Sequence, residues 1–216
     1  FHESFYELGF SLCNLFDLAD DADLLKKPDA IFLFGVPGEK LDRFDEVPLV
    51  FFDNEKDGVM VGACPNRDMF GYFGYLKKMV LTLHNSIMIK RGKLPFHGAL
   101  VKVLIKGGRE STILLMGDSG AGKSETLEAF RNLGKAYLRD MIIVADDMGS
   151  LDLRENGDVI AYGTETGAFL RIDDLKPGYA FGQIDRSILM SATKVNARII
   201  LPVTTFATII KGHKVD

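Results

Sequence analysis

The sequence predicts a mixed α/β protein built around a phosphate-binding loop, and three observations carry that expectation. Gly117-Asp118-Ser119-Gly120-Ala121-Gly122-Lys123-Ser124 fits G-x-x-x-x-G-K-[ST] at every fixed position. An apolar strand pattern over 112–116 leads into it, and a helical pattern over 125–133, with Leu127 and Phe130, leads out. A second apolar run, Ile142-Ile143-Val144-Ala145, ends in the carboxylates Asp146 and Asp147.

The remaining elements follow in chain order. Phe5, Leu8, Leu12 and Phe16 recur at helical spacing over residues 1–20 and stop at Asp20-Asp21. Residues 30–34 form a short apolar run ended by Gly35-Val36-Pro37-Gly38, a strand and turn. Runs 47–52 and 59–63, separated by a polar segment ending in Asp57-Gly58, predict a β-hairpin. Leu76, Met79, Val80, Leu83 and Ile87 make the apolar stripe of a helix over 75–90, which Gly92 and Pro95 break. Strands are expected at 99–105 and 111–116 around Gly107-Gly108, then at 141–145, 159–162, 168–172 and 199–203. The texture changes near 91–96, so the expected units are 1–92 and 93–216.

Composition bounds the partners. A hydrophobic fraction of 47% with 26% charged residues is ordinary for a globular chain of 216 residues. A net charge of −4 and pI near 5.6 give no global attraction to nucleic acid or to an anionic membrane. No apolar run approaches the roughly 20 residues of a membrane span. Cys13 and Cys64 match no metal-ligand spacing and no disulfide framework, so a reducing cytoplasm is expected. The chain opens on Phe1-His2-Glu3 and closes on Lys214-Val215-Asp216, which reads as a segment of a longer protein.

In the loop, the glycines let successive N–H groups point inward at phosphate oxygens. Lys123 would neutralise the outer phosphates, Ser124 would ligate magnesium, and the helix opening at Glu125 would present its positive end. Asp146 and Asp147 after a strand serve as a cap in some proteins, but behind such a loop metal binding is the favoured reading.

Further residues gain meaning as an ordered set. Tyr72-Phe73-Gly74-Tyr75-Leu76-Lys77-Lys78-Met79, then His97, the loop, Glu165-Thr166-Gly167-Ala168-Phe169-Leu170-Arg171 and Asn196-Ala197-Arg198 occur in one order. In that order they resemble ATP-dependent phosphoenolpyruvate carboxykinase. Asp118-Ser119-Gly120-Ala121-Gly122-Lys123-Ser124-Glu125-Thr126, His97-Gly98-Ala99 and Ala145-Asp146-Asp147 are also similar to HPr kinase/phosphorylase, which shares that core fold.

The resemblance implies a carboxykinase-like P-loop core over 93–216, incomplete at its C-terminus, behind part of a mixed α/β substrate domain over 1–92. It implies Lys78, His97 and Asp147 as ligands of manganese, and Tyr72 and Lys77 facing oxaloacetate or phosphoenolpyruvate. Lys123 and Arg198 would hold the transferring phosphoryl group, with Glu165 near ATP. The implied reaction is oxaloacetate and ATP to phosphoenolpyruvate, ADP and carbon dioxide. The alternatives are a kinase acting on a protein or small-molecule hydroxyl, with Asp146-Asp147 as base, and an ATP-binding regulatory module without turnover.

Overall fold

The structure, a computed structural model, describes residues 1–41, 49–118, 121–123, 126–127, 129–130, 136–171, 188–190, 198–202 and 213–215. It is mixed α/β, and the chain divides into two compact units, Phe1–Arg91 and Gly92–Asp216.

In the first unit, β1 (Ala30–Val36) lies parallel to β3 (Val59–Pro65), and β2 (Val50–Asn54) lies antiparallel on the other edge of β3. The expected hairpin is therefore β2–β3, with Asn54 and Asp57 closing its turn by a 2.7 Å side-chain hydrogen bond. The N-terminal helical pattern forms only α1 (Tyr6–Leu12), after a 3-10 turn at Glu3–Phe5. Ser11 Oγ donates to Glu7 O at 2.7 Å, a local bond that competes with helix continuation. The acidic residues do more than end a helix. Asp20 and Asp23 form a reciprocal capping box that starts α2 (Asp21–Leu24).

The apolar stripe forms α3 (Phe73–Lys90), which buries Phe73, Leu76, Met79 and Leu83. Each such side chain contributes roughly 1.5–3 kcal/mol through removal from water. The helix ends at Arg91, whose N–H bonds Ile87 O, and the chain turns away at Gly92. Phe34 is buried beside Phe5, the rings meeting edge to face at 4.9 Å.

The described residues of the second unit hold two sheets. The larger centres on β4 (Leu94–Ile105), which runs five residues further toward its N-terminus than the pattern 99–105 predicts. Pro95 lies inside it, opposite Ser150. One edge of β4 pairs antiparallel with β5 (Glu110–Met116). The other edge pairs first with β6 (Leu138–Ala145) and then with β7 (Met148–Leu153), both antiparallel. β8 (Val159–Gly163) pairs with β7, and β12 (His213–Val215) with β8. A separate three-stranded sheet orders β10 (Ile188–Met190), β11 (Arg198–Pro202) and β9 (Gly167–Arg171), with β11 central.

Alternation along β4 creates two apolar layers, since successive strand residues face opposite ways. Phe96 and Leu100 pack with Val144, Ala145 and Ala161. Ala99, Val101 and Val103 pack with Ile143 and with Leu127, which follows the glycine-rich motif at 117–124. Leu127 thus fixes the segment after the loop against the middle of the sheet. Among the described residues no helix is long and apolar enough to cross a membrane.

Candidate phosphate-binding site

Strand register builds the site. The β4–β5 ladder ends with Gly98 opposite Met116, so β5 stops beside the strand residue that follows His97, and Gly117 is the next residue of the chain. On the other edge of β4, Gly98 N–H donates to Asp147 O at 2.8 Å and His97 stands opposite Met148. Asp146 and Asp147 therefore form the bend between β6 and β7, two strands that follow one edge of β4 in succession. The row continues on β8: Gly149 pairs with Gly163, and one step further Thr164 meets Met148. The Thr164 N–H and hydroxyl both donate to Met148 O, at 3.3 and 2.9 Å. The end of β5 before the glycine-rich motif, His97, the Asp pair and the approach to Glu165 thus lie at one end of one sheet.

Within the loop, Ala121 N–H donates to Asp118 O at 3.0 Å, and Gly122 adopts φ +86°. That left-handed conformation suits glycine, which lacks the Cβ that would clash. Helical geometry begins at Lys123. Thr126 donates to Gly122 O through both its N–H (2.9 Å) and its hydroxyl (2.7 Å). Lys123 Nζ curls back to donate to Gly117 O at 2.6 Å and Asp118 O at 3.0 Å. Both acceptors are neutral. Among the described residues the partners of this partly buried ammonium are these two backbone carbonyls. Ser119, Gly120, Ser124 and Glu125 lie outside the described residues.

His97 Nε2 lies 3.0 Å from Asp147 Oδ1. Both side chains are partly exposed, so the pair is open to a small molecule or ion. Imidazole nitrogen and carboxylate oxygen suit manganese as well as a shared proton. Among the described residues no group of three or more His, Cys, Asp or Glu side chains converges. Asp146 is partly buried beside Asp147, and Glu165 is buried.

Arg198 opens β11 with its Cα opposite Arg171 of β9, and its side chain is outside the described residues, as is Asn196. In the first unit, Tyr72 caps α3 at its N-terminus, its ring edge to face with Tyr75 at 5.7 Å. Lys77 is buried on that helix and Lys78 is exposed. The residue that pattern reading passed over is Thr164, whose hydroxyl ties the Glu165 segment to the strand leaving Asp147.

No protein-family model matches the chain, and no curated protein gives a significant match to its sequence. Function is therefore read from the residues themselves.

Proposed function

We propose that this chain performs ATP-dependent phosphoryl transfer, with the carboxykinase reaction on oxaloacetate as its leading form. The observation that supports it is the sheet end, where β5 stops at Met116 opposite Gly98, just before the glycine-rich motif, and the neighbouring His97 meets Asp147 at 3.0 Å. A phosphate cradle and a nitrogen–oxygen ligand pair next to one another suit chemistry in which two cations face a polyphosphate and a developing enolate.

Each side chain has a role in this reading. The loop N–H groups and Lys123 bind the phosphates, Ser124 holds magnesium, and Glu165 orients the nucleotide. His97 and Asp147 hold manganese. Tyr72 and Lys77 contact oxaloacetate, while Lys123 and Arg198 clamp the phosphoryl group in flight. When bound, the cations supply Lewis acidity for the enolate oxygen and charge neutralisation for the polyphosphate. The substrate is a small molecule, and the proposed setting is the cytoplasm.

A second reading takes support from the same hydrogen bond. An imidazole oriented by a carboxylate is also the geometry of a general base, which a kinase needs to take the proton of an acceptor hydroxyl. The acceptor would then be a protein or a small-molecule alcohol. One assay separates the readings: full-length protein with MgATP, manganese and oxaloacetate, followed for phosphoenolpyruvate. Product that disappears in Lys123→Ala supports the first. ATP binding without product, together with labelled phosphate on a hydroxyl acceptor, supports the second. ATP binding without any turnover leaves a regulatory module.

A further inference from the structure

We infer that Thr164 is a positioning residue that couples the Glu165 segment to the Asp147 bend, so that nucleotide and metal contacts are set together. The inference rests on the nucleotide reading above.

The β7–β8 ladder pairs Gly149 with Gly163, and the chain leaves β8 at the next residue. At that exit the Thr164 backbone N–H reaches Met148 O at 3.3 Å, a long bond, while its hydroxyl reaches the same oxygen at 2.9 Å. The side chain therefore supplies the shorter of the two anchors. Met148 is the neighbour of Asp147 and stands opposite His97 in β4. The next residue after Thr164 is the buried Glu165. A single carbonyl thus joins two segments that carry separate candidate contacts. A hydroxyl held on a backbone acceptor at a strand end resists fraying of that end, and the residue beyond inherits the restraint.

Thr164→Val removes the hydroxyl while keeping the branched shape, and Thr164→Ser keeps the hydroxyl. In the full-length protein, MgATP binding by calorimetry should weaken roughly three- to tenfold in Thr164→Val, the range of one lost hydrogen bond. Thr164→Ser should restore affinity to near the wild-type value. On a Glu165→Gln background, Thr164→Val should weaken binding no further, because it acts through the Glu165 carboxylate. Equal loss in the Ser and Val variants, or full additivity with Glu165→Gln, overturns the coupling. Lys123→Ala serves as the reference. If it binds MgATP as the wild type does, the phosphate-loop reading falls and this inference falls with it. If it loses binding while Thr164→Val does not, only the inference falls. Should Thr164→Val fail to fold, hydrogen exchange of the wild-type protein decides. MgATP should slow exchange in 146–149 and 163–167 together, and protection confined to one segment would overturn the proposal.

Discussion

His97 and Asp147 are 50 positions apart in the chain, yet the imidazole Nε2 lies 3.0 Å from the Asp147 carboxylate. β4 brings them together, because the N–H of Gly98, the residue after His97, donates to Asp147 O at 2.8 Å. A one-residue slip would turn every side chain of the strand to the other face and take Ala99, Val101 and Val103 out of the layer they share with Ile143 and Leu127.

The pair should behave as one unit. His97→Ala is expected to weaken manganese activation while sparing MgATP binding, and Asp147→Asn should do the same. In a double-mutant cycle the two losses should be clearly non-additive, as for groups in direct contact. An unaltered manganese response in both variants would remove them from the site.

Lys123→Ala removes the ammonium that now bonds Gly117 O and Asp118 O. A charge-assisted contact to phosphate is worth about 1.5–3 kcal/mol, so the ATP dissociation constant should rise roughly 10- to 150-fold. Calorimetry with the folded variant checks this. Unchanged affinity would refute the phosphate-loop assignment.

Gly163→Ala tests the sheet that carries the row. A Cβ built at Gly163 overlaps the carbonyl oxygen of Val144, which belongs to backbone and cannot swing aside. Val144 sits where the β4–β6 register shifts, between the pairs Val101–Ile143 and Leu100–Ala145. The variant should lose about 2–4 kcal/mol of stability in denaturant titration. A loss below about 0.5 kcal/mol would mean that the strands can part at little cost.

The two thiols should differ sharply. Cys13 is exposed and Cys64 fully buried, and burial pushes the Cys64 thiol up to about 11 from its ordinary 9.0, a Gly35 backbone hydrogen bond lowering it slightly. At pH 8 an alkylating reagent should label Cys13 alone until denaturant is added. The native state holds the Cys64 proton more tightly than the unfolded chain. The resulting stabilisation is therefore intact below about pH 9 and is lost as pH rises toward 11, on the order of 2 kcal/mol. Comparing wild type with Cys64→Ala across that window isolates the effect.

Much of this architecture was legible in local pattern. The stripe of α3, the β2–β3 hairpin and the strands β4 and β5 all announce themselves through periodicity and turn residues. What escaped is what neighbours decide. β7 reads as Met148-Gly149-Ser150, with no β-branched run, and becomes a strand because β4 and β8 pair on either side. Pro95 signals a break in sequence, but it ends no strand where Ser150 stands opposite. Thr164 was not legible, since a threonine before a glutamate carries no signal until the Met148 carbonyl lies beside it.

The Gly107-Gly108 turn joins β4 to β5 at the end away from the phosphate loop, where Leu104 pairs with Glu110. Six ladder steps, roughly 20 Å of strand, separate it from the Gly98–Met116 pair. Foreign sequence spliced into that tip would lengthen a loop without altering which residues meet across the strands. A fluorophore or affinity tag belongs there, whereas a single codon added inside β4 or β5 would shift the β4–β5 register that leads into the glycine-rich loop.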